Sequence, residues 1–321
     1  MVNKLNIKVE NKYKISVIIN VHNGESFIKR AIDSILNQII KPYEIIVWDN
    51  FSTDNTKEIV SSFKNLKYFK SEFKTSLGEA RELARNVAKG DWISYLDFDD
   101  YWYPFKLKEQ ISYIAPEIGI IYGGVDEKDI NGNLLRRKLP LYKKGLMLKQ
   151  QLNSFDIDMV TPLINNNLLK KYNLGFNKDM IASEEQDLFL KVCCYAPIIT
   201  INKSLGVCTI REKSLTNESK KYWSLERNKT LDAIELIVDF AEYSDSLNEA
   251  RIQAEYYAAC YFASINNFKK VRKIMKKLFL KKNIFKILFL ISFFPIVWNF
   301  IHKRSVKTVL TNIFKLNRNL R

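Results

Sequence analysis

Short apolar runs alternate with helix-like segments between residues 15 and 121, and this alternation leaves the chain few possible folds. Ile15–Ile19, Glu44–Trp48 and Trp92–Leu96 have the composition of buried strands. A helix with one apolar face is predicted after the first strand, and another over roughly 78–89. Because strands and helices alternate, we predict an α/β fold with a doubly wound, mostly parallel sheet that binds its ligand at the strands' carboxyl ends.

The alternation loosens after Asp100, and the later elements are predicted one by one. Pro104 favours the start of a helix, and Asn131-Gly132 is typical of a hairpin turn. The other predicted elements are a strand over Asp158–Leu163, a helix over Glu184–Tyr195 and an all-helical region from about Ser219.

Asp97-Phe98-Asp99-Asp100 follows directly after the strand predicted at Trp92–Leu96. Three carboxylates this close repel one another, and a cation bound among them removes that cost. Hard oxygen ligands suit Mg²⁺ or Mn²⁺, which commonly bind substrate phosphates as well. An isolated pair of aspartates is more often part of a polar loop that caps the next helix, so the surrounding sequence has to decide.

Two more polar positions fall where such a sheet places its ligand. Asp49-Asn50 follows the second predicted strand, and a carboxylate with an amide can bind a base or a ribose. An Asx-turn with a helix cap at Thr53 or Asp54 is the structural alternative. Arg81 lies on the helix before the aspartate strand, where a guanidinium could bind a base or a phosphate, although taken alone it is a solvated charge.

The chain resembles the inverting nucleotide-sugar glycosyltransferases of family 2, which have the GT-A fold, over about residues 14–200. The resemblance implies a nucleotide-binding half and an acceptor half. Four stretches carry it, in the family's order and spacing: Ile15–Asn23, Glu44–Thr56, Ala80-Arg81 and Lys89–Asp100.

The resemblance implies a nucleotide diphosphate-sugar donor, with a UDP-sugar as the first candidate, and Mn²⁺ or Mg²⁺ as cofactor. Several positions carry residues that are less common in the family: Asn20, His22, Asn50-Phe51 and Glu82. Because of these departures, the resemblance does not identify the nucleotide of the donor. The implied roles are these: Asn20 lines the nucleotide pocket, Asp49 and Asn50 contact base and ribose, Arg81 lies near the nucleotide, Asp97 faces the donor sugar, Asp99 ligates the metal and Asp100 supports them.

An inverting displacement also needs a base, because the acceptor hydroxyl loses a proton as it attacks. Ser183-Glu184-Glu185-Gln186-Asp187 opens a predicted helix and resembles the family's acidic acceptor-side motif. Glu185 aligns with the base of that motif, where aspartate is commoner. Acids that complement a helix dipole are the alternative explanation, and without the resemblance we would prefer it.

The positive charge is concentrated at the end of the chain. Residues 269–321 contain fifteen of the 51 Lys and Arg and no acid, which leaves 36 basic against 35 acidic residues in the rest. Within this part, Ile287–Ile301 is uncharged, rich in aromatic residues and interrupted by Pro295. It is short for a membrane span, and we expect it to lie on an anionic membrane surface; a nucleic-acid tail would be less apolar. A helix packed on the catalytic domain is the alternative.

We expect the protein in the cytoplasm, at the inner face of the cell membrane. The membrane contact is the one expected of the C-terminal segment, and two other features favour the cytoplasm. The four cysteines have neither zinc-ligand nor disulfide spacing, so reduced thiols are expected. The amino terminus lacks the apolar core of a signal peptide. The predicted divisions are a catalytic domain over 1–215 (nucleotide half 14–121, acceptor half 122–215), a helical extension over 216–268 and a membrane segment over 269–321.

Together these features predict a metal-dependent inverting glycosyltransferase. Its acceptor would be a glycan hydroxyl, by analogy a polyprenyl-linked saccharide of a surface polysaccharide. A catalytically silent glycan-binding or membrane-tethering protein on the same scaffold is the alternative. A sugar-phosphate nucleotidyltransferase would need a glycine-rich phosphate loop, which Asn20–Gly24 is not, and Asp97-Phe98-Asp99 lacks the residues that follow the nucleophile of an aspartate phosphatase.

Overall fold

The computed structural model describes residues 13–211 and 219–302, which contain one mixed sheet surrounded by helices. Its strands are β1 (Ile15–Val21), β2 (Glu44–Asp49), β3 (Lys67–Lys70), β4 (Trp92–Asp97), β5 (Tyr101–Trp102), β6 (Ile120–Lys128), β7 (Leu134–Lys138), β8 (Leu163–Asn165) and β9 (Ile198–Thr209).

The strand order is β3-β2-β1-β4-β8-β6-β9-β5, with β7 paired antiparallel to the last part of β6, from Val125 to Lys128. Strands β3, β2, β1 and β4 are parallel, as predicted for the nucleotide half. Strand β8 is antiparallel to both β4 and β6, and β6 runs parallel to β9. The sheet is therefore parallel in its first half and mixed in its second.

Helices cover the sheet and continue beyond it. They are α1 (Ile28–Leu36), α2 (Thr56–Ser61), α3 (Leu77–Val87), α4 (Lys106–Ile111), α5 (Leu148–Asn153), α6 (Asn166–Lys171), α7 (Glu184–Tyr195), α8 (Trp223–Glu235), α9 (Phe240–Ser264), α10 (Phe268–Leu278), α11 (Asn283–Ile291) and α12 (Pro295–Ile301).

The hydrophobic core is divided by the sheet. Alternate side chains of a strand point to opposite faces: Val17 and Ile19 of β1 pack in one buried cluster with α1, and Ile18 packs in the other with α3 and α7. A third cluster joins α9 to α12 and includes the buried Trp298. The C-terminal helices thus have a core of their own.

Most predicted elements are present, and some boundaries are wrong. Helix α7 begins and ends where predicted, and the hairpin turn contains Gly132 with φ +88°. The strand predicted over Asp158–Leu163 is wrong: β8 starts only at its last residue, since the preceding segment turns and the Thr161 hydroxyl donates to the Gly123 carbonyl at 2.9 Å. Helix α4 starts two residues after Pro104.

The apolar C-terminal run forms two short helices. Pro295 is the first residue of α12 and separates it from α11, because proline lacks the N–H that would continue the earlier helix. None of the helices in the described part of the chain combines the length and apolar character needed to cross a bilayer. The cations that follow this run in the sequence, Lys303, Arg304 and Lys307, lie outside the described residues.

Candidate active site

Three parallel strands end side by side and bring the predicted residues to one edge of the sheet. Asn20 of β1 pairs in register with Trp48 of β2 and with Asp97 of β4. Asp49 and Asn50 therefore follow on one side of Asn20, and the aspartate cluster follows on the other. This edge is where a doubly wound sheet binds its ligand.

Asn20 is buried at this edge without internal partners. Neither its side-chain oxygen nor its side-chain nitrogen has a hydrogen bond among the described residues. A buried amide with both groups unpaired is costly, and a bound ligand is a common explanation. The position fits the nucleotide-pocket role predicted for Asn20.

Asp49 and Asn50 instead bind neighbouring parts of the protein. Asp49 is fully buried, and its oxygens accept from the Ser52 N–H at 2.7 Å and the Tyr68 hydroxyl at 2.5 Å. Burial and this carboxylate raise the pKa of Tyr68, which keeps the hydroxyl a donor. The Asn50 amide holds Thr75 through bonds of 3.0 Å in both directions. These bonds do not use every acceptor position of the Asp49 carboxylate, and its contact with a ribose stays a prediction.

Arg81 is buried and connects three carboxylates. Its guanidinium lies 2.9 Å from Asp97, 2.5 Å from Glu184 and 3.7 Å from Glu185. Burial alone would lower the pKa of Arg81, but these three acids raise it, so the cation is permanent. Arg81 thus links the end of β4 to the start of α7, and its predicted nucleotide contact is not tested by this arrangement.

Glu184 and Glu185 are adjacent but differ in environment. The Glu184 side chain is buried against Arg81, and its second carboxylate oxygen has no partner in the described part of the chain. Glu185 is 30% exposed at its side chain. Burial and then repulsion by Glu184 raise the pKa of Glu185 to about 8, against the attraction of Arg81. A partly accessible carboxyl group that titrates near neutral pH is suited to general-base catalysis.

The last two aspartates of the cluster have different partners. The Asp99 carboxylate forms an ion pair with Arg211, and the Asp99 carbonyl accepts from Arg30 at 2.6 Å. Asp100 is buried and accepts from the Thr209 N–H at 2.7 Å, which ties the cluster to the end of β9. Burial raises the pKa of both acids, repulsion by Asp97 adds to the rise at Asp99, and repulsion by Asp99 adds to the rise at Asp100.

Sequence reasoning missed three residues of this site: Glu184 as the buried partner of Arg81, and Arg30 and Arg211 beside Asp99. Glu184 could have been recognised, because it precedes the predicted base in a helix that faces Arg81. Nothing in the local sequence marks Arg211, which is 112 residues from Asp99 and reaches it only because β9 returns to the cluster.

Comparisons with known proteins identify the family of this chain. The family model "Glycosyl transferase family 2" matches residues 16–172. The chain is 28% identical over 218 residues to the UDP-Glc:alpha-D-GlcNAc-diphosphoundecaprenol beta-1,3-glucosyltransferase WfgD of Escherichia coli, a match that covers 67% of this chain and 83% of WfgD. For three other relatives the matches cover 32% to 63% of the relative's own length.

Two groups of solved structures share the fold. Staphylococcus aureus TarS 1-349, in complex with UDP-GlcNAc, superposes with a TM-score of 0.67 at 20% identity, covering 82% of this chain and 81% of TarS. The mannosyltransferase PcManGT from Pyrobaculum calidifontis, in complex with GDP-Man and Mn²⁺, has a TM-score of 0.57 at 14% identity, covering 91% and 88%. The family match and the fold agree with the resemblance found in the sequence, and the chain belongs to glycosyl transferase family 2: it is a glycosyltransferase with the GT-A fold.

Proposed function

We propose that this protein transfers one sugar from a nucleotide diphosphate-sugar to a hydroxyl of a lipid-linked saccharide, with inversion at the anomeric carbon. The main support is Arg81, whose single guanidinium contacts Asp97 on the donor side and lies 3.7 Å from Glu185 on the acceptor side. This arrangement brings a base close to the position expected for the donor sugar, as a one-step displacement requires.

The proposed reaction is one displacement that needs no covalent intermediate. Glu185 accepts the proton of the acceptor hydroxyl while that oxygen forms a bond to the anomeric carbon. The bond from that carbon to the diphosphate oxygen breaks, and the nucleoside diphosphate leaves with the electron pair. Because the pKa of Glu185 is about 8, the base is fully ionised only above neutral pH.

A divalent cation fits the acids of this site. No three His, Cys, Asp or Glu side chains within 13–211 and 219–302 form a group that could hold a metal ion. Mg²⁺ and Mn²⁺ are commonly held by one or two carboxylates together with substrate phosphates, so the Asp99 carboxylate is a sufficient protein ligand. Asp99 already pairs with a cation, the Arg211 guanidinium. When bound, the metal would stabilise the charge that develops on the leaving diphosphate.

The relatives indicate the substrate class. WfgD is named for a UDP-glucose donor and an undecaprenol diphosphate acceptor, and the TarS complex contains UDP-GlcNAc. We therefore infer a UDP-sugar donor and an acceptor on a polyprenyl diphosphate, at the inner face of the cell membrane. This would be a step in building a surface polysaccharide.

An apolar surface on α11 and α12 supports association with a membrane. Its side chains are largely exposed even though Trp298 and Leu288 beside them are buried. Lysines of α10 and of the segment that leads into α11 precede it in the sequence, so an anionic bilayer would satisfy both the apolar and the charged groups. We call this the apolar patch: Ile287, Leu290, Phe293, Phe294, Ile296, Val297 and Phe300.

The function is tested with purified protein in two stages. Thermal unfolding is measured with UDP, GDP and dTDP, each with and without Mn²⁺ or Mg²⁺, since a bound ligand raises the apparent stability. The nucleotide that binds then selects the donor sugars for a transfer assay with a GlcNAc-diphosphate-lipid acceptor, and NMR of the product gives the anomeric configuration. A retained configuration would contradict the single displacement, and no binding of any nucleotide would contradict the enzyme proposal.

Membrane association is tested by flotation with vesicles of phosphatidylethanolamine and phosphatidylglycerol. We expect wild type to float with them, and the double variant Phe294→Glu, Ile296→Glu to float several-fold less. Leu236→Glu is the matched control, because Leu236 is 90% exposed, like Ile296 at 86%, and lies outside the apolar patch. Equal flotation of the two variants would contradict the membrane assignment.

A further inference from the structure

Arg211 is positioned by the backbone just before it. Strand β9 ends at Thr209, whose N–H donates to Asp100, and the Ile210 N–H donates to the Lys128 carbonyl at 2.7 Å. These two bonds fix the chain immediately beside the aspartate cluster. The Arg211 side chain therefore reaches Asp99 from a fixed starting point.

Two aromatic rings hold the Arg211 guanidinium in place. Its central carbon lies 5.3 Å from the ring centroid of Phe27 and 5.5 Å from that of Phe98. Such contacts stabilise the cation but leave its N–H groups free to bind acceptors. The Arg211 Nε is buried and has no acceptor among the described residues, so the guanidinium has an unused donor beside the ion pair.

The other arginines of the site bind other groups, although each of them also has a buried Nε without an acceptor among the described residues. Arg81 binds Asp97 and Glu184, and Arg30 donates to the Asp99 carbonyl and the Thr209 hydroxyl. Arg211 alone, among the described cations, pairs with the Asp99 carboxylate. A divalent cation on this carboxylate would repel the guanidinium that is paired with it, so metal binding would weaken the ion pair.

We propose that Arg211 is a second cation of the donor site, which neutralises Asp99 in the free protein and turns to the donor diphosphate when Asp99 becomes a metal ligand. This inference rests on the proposed function. A planar guanidinium suits a diphosphate, because two parallel N–H groups can donate to phosphate oxygens, and Nε supplies the unused donor. Release of the ion pair would couple metal binding to donor binding. Arg211 would weaken the binding of the metal alone and strengthen the binding of the metal together with the diphosphate.

The proposal predicts effects of opposite sign, which a merely structural arginine would not produce. For Arg211→Ala we expect the affinity for Mn²⁺ alone to rise about two- to fivefold, since a competing ion pair is removed. We expect the affinity for UDP at saturating Mn²⁺ to fall about 10- to 100-fold, since charge-assisted hydrogen bonds are lost. Arg211→Lys keeps the charge and should bind Mn²⁺ like wild type but UDP with intermediate affinity.

Both affinities are measured by isothermal titration calorimetry, and circular dichroism checks the fold of each variant. Arg251→Ala is the matched control, because the Arg251 side chain is 30% exposed against 27% for Arg211. Arg251 also forms ion pairs, but with Asp232 and Glu235, which do not belong to the aspartate cluster. If Arg211→Ala lost affinity for both Mn²⁺ and UDP, or kept its affinity for UDP, this inference would be overturned and the proposed function would stand. Failure of wild type to bind any nucleotide would instead overturn the proposed function, and the inference with it.

Discussion

Replacing Glu185 by glutamine separates its chemical role from its structural one. The amide has nearly the same shape as the carboxylate but cannot accept the proton of the acceptor hydroxyl. We expect kcat/KM for sugar transfer to fall about 10²- to 10⁴-fold, the usual contribution of a positioned general base. The donor affinity should change little, because Glu185 is proposed to act on the acceptor.

The same substitution should raise stability at alkaline pH. The pKa of Glu185 is raised from 4.5 to about 8, so its ionised form is disfavoured in the folded protein. At about 1.4 kcal/mol per pH unit, the cost to folding above pH 8 is at most about 5 kcal/mol. Because the side chain is 30% exposed and water screens its charge, we expect about 1–2 kcal/mol.

The sign of the pH dependence follows from the direction of the shift. Below pH 4.5 the carboxyl is neutral in both the folded and the unfolded protein, so glutamine and glutamate should be equally stable. As pH rises from 4.5 through about 8, wild type loses stability relative to Glu185→Gln. Over the same range wild-type kcat/KM should increase, since the active form of the base is the ionised one.

The assay combines transfer kinetics and urea unfolding at several pH values from 5 to 9. Glu117→Gln is the control, because Glu117 is an exposed glutamate that takes part in none of the site contacts described above. Wild-type activity in Glu185→Gln would refute the assignment of the base. Loss of activity together with loss of stability would show instead that Glu185 supports the fold through Arg81, and the reasoning from its pKa would be wrong.

Three further predictions follow from the same contacts. Glu184→Gln removes the repulsion that raises the pKa of Glu185, so the rise of kcat/KM with pH should move to lower pH; an unmoved profile would contradict this coupling. Asp99→Asn should abolish the part of the UDP-induced thermal shift that depends on Mn²⁺, and a retained metal dependence would remove Asp99 as ligand. Phe51 has φ +68°, a left-handed conformation, so Phe51→Gly should be about 1 kcal/mol more stable than Phe51→Ala in urea unfolding; equal stability would show that no strain exists there.

The nucleotide half was predictable because its signals are local. Strands β1, β2 and β4 are apolar runs bounded by polar residues, and helix α7 has its acids at the start and apolar side chains on one face. Asn20 and Asp97 could be placed at one edge because parallel strands in register end together. Local pattern and tertiary environment agree at these positions.

The acceptor half was harder because long-range pairing defines it. Strand β9 was not predicted: it carries polar residues in its middle and forms a strand through its pairing with β6. Strand β8 has three residues, too few for a periodic pattern, and exists because it bridges β4 and β6.

The sequence by itself carried the motifs of the family resemblance, the alternation of strands and helices in the nucleotide half and the acids that follow its strands, since these are local features of the chain. Only the tertiary structure decided how the charges of those acids are balanced. Arg81 joins Asp97 to Glu184, and Arg211 reaches Asp99 across 112 positions of sequence. The physical reason is that a buried charge pairs with a group on whichever element packs against it, and local sequence does not specify which elements pack together.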